Sequence, residues 1–265
     1  MTRFQPKDYW NERLGTTPSL EAVGYLGLGP GYNRWMYRLR EHVFRSTVKK
    51  LAPPVPRRVC DVGAGSGVYI EAWRRVGATS VTGLDIAPNA VRSLERRFPW
   101  ARFLELDIGD GTGPLEPASF DAVSCLDVLI HIVDEERYRA AFNNLTSLLV
   151  PGGHLILTDV ITDQALEPGR HVRFRSLRVF REAYQAAGLS LVTQRPTFRW
   201  MAEPVRGKMT LRRPAWNLFR ATIQKLPALG GPAGAALYAL ERATARLPTA
   251  APSSELFVFR RGEPT

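Results

Sequence analysis

The segment VCDVGAGSGVYI at residues 59–70 constrains the fold more than any other part of the chain. A short run of strand-forming residues leads into Asp61, and glycines follow at 63, 65 and 67. Glycines so placed can take positive φ and leave no Cβ between the main chain and whatever lies across the strand end. Their spacing separates two ligand classes. A dinucleotide fingerprint reads G-x-G-x-x-G, and counted from Gly63 its third glycine falls on Val68. The pattern here is acidic-x-G-x-G-x-G, and a carboxylate at Asp61 suits a cationic ligand better than a pyrophosphate.

The residues downstream arrive in a matching order. After a helix-like stretch from Tyr69 to Arg75, SVTGLDIAPNAV is a second apolar strand ending at Asp85, about 20 residues beyond the loop, where a ribose-binding acid belongs. RFLELDIGDG ends a third strand at Asp107. FDAVSCLDVLIHI gives a fourth, opening onto a loop with Asp127 and His131. NLTSLLVPGGHLILTDV then reads as a helix, a Pro-Gly-Gly turn and a fifth strand closing at Asp159.

Over residues 55–160 this series resembles the class I S-adenosylmethionine (SAM) methyltransferases, with Asp61 to Gly67 as motif I and VPGGHLIL as the turn before strand five. The resemblance implies an α/β, Rossmann-like fold: a seven-stranded, mostly parallel sheet with an antiparallel last strand and helices on both faces. It implies SAM as cofactor, bound by Asp61, Gly63, Ala64, Gly65, Gly67, Asp85, Ile86, Asp107, Ile108, Leu126 and Asp127. Within that set Asp61, Gly63 and Gly65 line the methionine end, and the backbone near Leu126 and Asp127 receives the amino group. Asp85 takes the ribose hydroxyls, Asp107 faces the adenine amino group and Ile108 packs on its ring.

At 265 residues the chain suffices for one well-buried α/β domain with an elaboration. The start, MTRFQPKDYWNERLG, has no apolar stretch of the signal-peptide kind, and no run reaches the roughly 18 apolar residues of a membrane span, so a soluble, cytoplasmic protein is expected. Cys60 and Cys125 sit in strand-like runs and read as small core residues, with no metal site expected. A net charge of +11 invites a nucleic-acid partner. The excess is local, however: Arg199, Arg206, Lys208, Arg212, Arg213, Arg220, Lys225, Arg242 and Arg246 all follow residue 195. No RNA-binding signature accompanies them, and CLDVLIHI stands where base-amino methylases carry an Asn-Pro-Pro-Tyr type of motif. Nucleic acid is therefore not the expected partner.

Four regions follow: a helical amino-terminal cap at 1–52, the SAM-binding core at 53–200, a helical insertion and possible lid at 201–252, and the last strand with its tail at 253–265. In the cap, PKDYWNERL is one helix and RWMYRLREHVFRSTVKKL another, with Trp35, Leu39, Val43 and Phe44 at helical spacing. The Gly-rich VGYLGLGPGYN between them reads as a loop folding over the ligand. Tyr9, Trp10, Tyr25 and Tyr32, with Arg173, are the candidates for contact with the acceptor. In the insertion, Trp216, Phe219, Ile223 and Leu226 share one face of an amphipathic helix and Arg220 and Lys225 the other. Such a helix can pack on the core, cover a pocket or lie on a membrane surface.

In an open parallel sheet the ligand crevice lies at the carboxyl ends of the strands. His154 begins strand five, at the wrong end, and His42 on the cap helix is ambiguous. His131 and His171 can reach the crevice, and Asp159 closes strand five on its rim. Displacement at a sulfonium methyl needs alignment and exclusion of water more than side-chain chemistry. If the acceptor must lose a proton, His131 is the candidate base, with His171 and Asp159 behind it. Arg170, Arg173 and Arg175 could instead recognise an anionic acceptor. The expected function is methylation of oxygen or nitrogen on a small molecule in specialised, natural-product biosynthesis. Alternatives are a lipid or quinone-like acceptor at a membrane surface, with peripheral membrane contact, an RNA substrate, or SAM binding without transfer. The sequence carries no signal for oligomeric state.

Overall fold

A computed structural model describes residues 4–51, 55–205, 212–247 and 253–263. The elements run in chain order α1 (Pro6–Leu14), α2 (Gly29–Val48), β1 (Arg58–Val62), α3 (Val68–Val76), β2 (Ser80–Asp85), α4 (Pro88–Arg97), β3 (Arg102–Glu105), β4 (Phe120–Leu126) and α5 (Glu135–Leu148). They continue β5 (Leu149–Asp159), β6 (Ile161–Thr162), β7 (Leu166–Gly169), β8 (Val172–Ser176), α6 (Leu177–Ala186), β9 (Leu189–Phe198), α7 (Arg212–Lys225), α8 (Gly230–Ala243) and β10 (Ser254–Arg261).

Seven strands form one sheet in the order β3-β2-β1-β4-β5-β10-β9, and β10 runs antiparallel to both of its neighbours. This is the sheet implied by the sequence. Both faces are covered, so the inner strands are buried along nearly their whole length instead of alternating between buried and exposed residues. On β10, Leu256 and Val258 face the α2–α3 side, while Phe257 and Phe259 face the α5–α6 side. Cys60 and Cys125 are free and buried among these strands.

The order reverses at β1 and β4, and the carboxyl ends of β1, β2 and β4 open a crevice there. Its far wall is built by helix starts with local causes. Asp134 caps α5, its carboxylate accepting the amides of Glu136 and Arg137, both at 3.0 Å.

Three features depart from the sequence reading. The stretch read as a loop through Tyr32 ends in a single 3-10 turn at Leu26–Leu28, and α2 starts at Gly29. Pro30 falls in the first turn, where its missing N–H costs nothing. Tyr32 consequently lies on the buried face of α2, with its hydroxyl donating to the Met201 carbonyl at 2.8 Å. The second departure is a small three-stranded sheet, β6-β8-β7, inserted between β5 and α6. The third concerns the insertion. Helix α8 packs along α2, where Gly234 lies against the Trp35 ring and a Cβ on Gly31 would come within 2.9 Å of the Gly231 amide. Trp216 and Ile223 of α7 are buried beside this junction, but Leu226 is exposed because α7 ends at Lys225. No described residue of 201–252 lines the cavity described next, so these helices buttress α2 instead of covering the crevice.

Candidate active site

The crevice encloses a cavity of about 620 Å³ between the strand ends, α1 and the loop after β4. Its floor is the glycine turn after β1, which the main chain itself ties down: the amides of Gly63 and Ala64 donate to the Leu84 carbonyl at 2.8 and 2.9 Å. Gly63 has φ +72° and a Cβ there would meet Val128 Cγ2 at 2.2 Å, so only glycine lets the β4 loop approach. Gly63, Ala64 and Gly65 all line the cavity. Gly67 does not. It faces Phe98 and Leu94, and its expected cofactor contact is replaced by packing of α3 on the α4 region.

Four acids stand around this floor. Asp85 lines the cavity, with one carboxylate oxygen accepting the Gly65 amide at 2.8 Å and the other the Ala87 amide at 2.9 Å. Burial pushes its pKa up to about 6. Asp61 stands behind the wall instead of in it. Its Oδ1 accepts from Ser124 Oγ at 2.6 Å, Ser124 in turn accepts from Trp73 Nε1 at 2.8 Å, and burial pushes the carboxyl up to about 7. Its Oδ2 is buried with no hydrogen-bond partner among the described residues. Asp107 pairs with Arg137 at 2.6 Å, Ile108 lies beside it in the wall, and Ile86 follows Asp85.

The fourth acid, Asp127, follows Leu126 at the end of β4 and has φ +61°, a conformation that costs a non-glycine residue roughly 1 to 3 kcal/mol and persists only where its surroundings enforce it. Two groups do so here. The Asp127 amide donates to Thr158 Oγ1 at 2.7 Å, and its Oδ2 lies 2.9 Å from Arg40 Nη1. Burial opposes the charge on Arg40, but Asp127 and nearby tyrosine hydroxyls outweigh it and its pKa is raised.

Helix α1 forms the roof. Trp10 meets the His131 ring edge-on at 4.7 Å, and the guanidinium of Arg13 lies over Trp10 at 5.1 Å. Arg13 also donates to the Tyr9 hydroxyl at 2.8 Å and to the carbonyls of Ala22 and Gly24 at 2.8 and 3.0 Å. Across the rim, Asn89 donates twice to Asn11, from its amide to Oδ1 at 2.9 Å and from Nδ2 to the carbonyl at 3.1 Å, fixing α1 to α4.

These contacts sort the candidates for acceptor contact. Trp10 lines the cavity. Tyr9 does not line it and lies against the His171 ring, tilted by 31° at 4.6 Å. Tyr25 lies against Trp216 at 6.4 Å, outside the wall, and Tyr32 is core. Arg173 does line the cavity, but its charge is already matched by Glu135 at 3.1 Å and Glu167 at 3.5 Å. Arg175 is fully buried and cannot read an acceptor at all.

The candidate bases separate in the same way. His131 alone is in the wall. Its Nδ1 lies 2.7 Å from the His171 carbonyl oxygen, and since a carbonyl only accepts, Nδ1 carries the proton and Nε2 is the acceptor. Burial lowers its pKa to about 4. His171 is outside the wall and contributes its carbonyl. Asp159 is sealed in the core, pushed up to about 7 by burial, with Oδ1 accepting the Val160 amide at 2.6 Å. Neither reaches the cavity.

Arg40, Tyr37 and Arg137 were not anticipated. Arg40 had a signal: it interrupts the apolar stripe of α2 formed by Met36, Val43 and Phe44, where an arginine is expected only if paired.

The residues present suit a cationic nucleoside. The floor is glycine at 63 and 65 with only the small Ala64 between, Asp61 Oδ2 is a buried acceptor beneath it without a hydrogen-bond partner among the described residues, and Asp85 is held by two backbone amides at the end of β2. Comparison with known proteins agrees. Residues 59–153 match a methyltransferase domain and residues 109–201 the NNMT/PNMT/TEMT family. A ubiquinone biosynthesis O-methyltransferase of Paracidovorax citrulli is 35% identical over 115 residues, 42% of this chain and 46% of the relative. The chain thus spans about half the length of the curated relatives it matches. Among solved structures, a SAM-dependent methyltransferase of Leishmania major has a TM-score of 0.63 at 16% identity, covering 74% of this chain and 76% of the other. Magnesium protoporphyrin IX methyltransferase from Synechocystis, solved with bound SAM, has a TM-score of 0.59 at 16% identity and covers 99% and 100%. Residues 59–201 are thus covered by methyltransferase family models, and the fold is the one found in solved SAM-dependent methyltransferases.

Proposed function

We propose that this protein methylates a hydroxyl oxygen of a small, neutral aromatic acceptor of the phenol or quinol type, with His131 receiving the hydroxyl proton. One observation carries the reading: of His131, His171 and Asp159, His131 is the one that lines the cavity, and its imidazole is held with the proton on Nδ1, leaving Nε2 free to accept. Bound SAM supplies a methyl group activated by a positively charged sulfur. Gly63, Gly65, Asp85 and Asp107 would hold it, with Asp61 beneath.

The charges around the cavity favour a neutral acceptor. Arg137 faces Asp107 and Asp110, Arg173 faces Glu135 and Glu167, and Arg40 faces Asp127. These three arginines have no charge left over for an acidic substrate. With a pKa of about 4, His131 is neutral throughout the physiological range and too weak to ionise a phenol of pKa about 10 beforehand. It takes the proton as the oxygen is alkylated and its hydroxyl becomes strongly acidic. Trp10 and α1 keep water from competing.

The names of the curated relatives support a quinol-type acceptor. Such an acceptor can carry a lipid tail, and the exposed Leu218, Leu226 and Leu229, with Arg220 and Lys225 nearby on α7, would suit contact with an anionic membrane. Among the described residues no helix is long and apolar enough to cross one. The aromatic roof supplied by α1 favours a second reading, a compact phenol of specialised metabolism, by the same chemistry.

A panel of catechols, quinols, benzoates and amines, assayed with methyl-labelled SAM, tests the proposal. Label appearing on hydroxyls of neutral phenols is the expected result. Transfer confined to amines or carboxylates contradicts it, and tight SAM binding with no methylated product would point to a protein that binds without transferring.

A further inference from the structure

We propose that Arg175 is a positioning residue of the site, holding the loop that carries His131 and thereby fixing the tautomer of its imidazole. The inference rests on the reading of His131 as the proton acceptor. Arg175 comes from β8 in the small sheet between β5 and α6, a part of the chain with no residue in the binding floor. Its side chain is 1% exposed. Nη2 donates to the Ile132 carbonyl at 2.6 Å, Nη1 reaches the Leu129 carbonyl at 3.4 Å, Nε lies 3.2 Å from Glu135 Oε1, and the guanidinium sits 3.5 Å from the Tyr138 ring centroid.

The two carbonyls bracket His131 in sequence. Between them the chain makes one 3-10 turn, Leu129–His131, closed by the Ile132 amide on Leu129 at 3.1 Å. A turn this short does not hold itself. A buried guanidinium that donates to its carbonyls from one side supplies what the turn lacks, and removing it would take from the Ile132 carbonyl its 2.6 Å donor.

The same excursion delivers the other half of the arrangement. His171, between β7 and β8, provides the carbonyl that accepts from His131 Nδ1, and Arg173 of β8 donates to the Val133 carbonyl at 3.2 Å. Arg175 therefore fixes the distance between the imidazole and its acceptor. Once that distance relaxes, Nδ1 and Nε2 compete for the proton and water reaches the ring. The groups facing His131 are His171 from this sheet, Arg13 from α1 and Asp127 from the β4 loop. Those facing Arg175 are Tyr138 and Glu135 of α5, Asp159 of β5 and Arg173 of β8. None of them replaces the guanidinium's donors to the loop.

The test is nitrogen NMR of the histidine side chains in the full chain, comparing the wild type with Arg175→Lys and Arg175→Gln. The wild-type His131 is expected as the Nδ1-protonated form, titrating near 4. In Arg175→Gln the two tautomers should mix and the titration move towards about 6.5, with Arg175→Lys intermediate. Turnover should fall roughly 10- to 100-fold at an unchanged SAM dissociation constant. A folded variant whose His131 keeps the wild-type tautomer and titration overturns the proposal. If neither variant folds, Glu135→Gln, which weakens one of Arg175's partners, should shift His131 in the same direction by less, and no shift there is equally fatal. Because the NMR readout needs no turnover, its failure is distinct from failure of the methyltransferase reading, which would show as absent SAM binding.

Discussion

His131 Nδ1 lies 2.7 Å from the carbonyl oxygen of His171, and this contact between the β4 loop and the β7–β8 hairpin decides which imidazole nitrogen can receive a proton. Replacing His131 with Ala should lower kcat by roughly 10²- to 10⁴-fold, the range for a lost general base, with SAM affinity nearly unchanged. Steady-state kinetics alongside a SAM binding isotherm would check it. A variant retaining wild-type kcat would mean that alignment alone drives transfer.

Asp61 adds a pH signature to binding. Burial holds its carboxyl at about 7 in the free protein, and its Oδ2 is unpaired. A cationic amino group brought near that oxygen lowers the pKa, so binding near pH 6.5 should expel part of a proton, while binding near pH 8.5 should expel none. Calorimetry in buffers of different ionisation enthalpy measures this directly. Equal enthalpies in all buffers at pH 6.5 would separate Asp61 from the ligand.

Asp159, pushed up to about 7 by burial, affects stability with the opposite sign to an ion-paired acid. Its unfolded carboxyl ionises near about 3.9, so between roughly pH 4 and 7 the native state holds more protons than the unfolded chain, and stability falls as pH rises through that window. His131, lowered to about 4, works the other way, adding stability as pH rises from about 4 to 6.5. Asp159→Asn removes the first effect only. Relative to the wild type it should gain on the order of 1 to 3 kcal/mol between pH 5 and pH 8 in urea denaturation. Parallel curves for the two proteins would rule this out.

Leu218 is 71% exposed on α7, which also carries Arg220 and Lys225. If the acceptor is lipid-linked, the protein should float with vesicles containing anionic lipid and remain behind with neutral ones, and Leu218→Ser with Lys225→Glu should abolish flotation. Absence of flotation at low salt would favour the compact, water-soluble acceptor.

The sequence made the sheet and the strand-end acids legible for one reason: alternating strand and helix segments fix which end of each strand carries the ligand. Asp85, Asp107 and Asp127 could therefore be placed at the crevice before any coordinates. Tyr32 was misplaced because Gly29-Pro30-Gly31 reads locally as a turn, although proline is equally at home in a first helical turn. The packing of Gly67 against Phe98 and Leu94 was not legible, because a glycine that admits a ligand and one that admits a helix look alike in sequence. Arg40 could be flagged as a charge inside an apolar stripe, but its partner Asp127 is distant in sequence and appears only when α2 and the β4 loop meet. The short strands β6 to β8 carry arginines on both sides of Phe174 and give no clear period to read.

The central claim is that SAM nests against the Gly63 turn with its ribose on Asp85. Titrating SAM into the wild type and Asp85→Ala by calorimetry tests it most directly. The account predicts saturable binding by the wild type and a loss of about 1 to 3 kcal/mol in the variant, the cost of losing charged hydrogen bonds. No binding by the wild type, or equal affinity in both proteins, would contradict it.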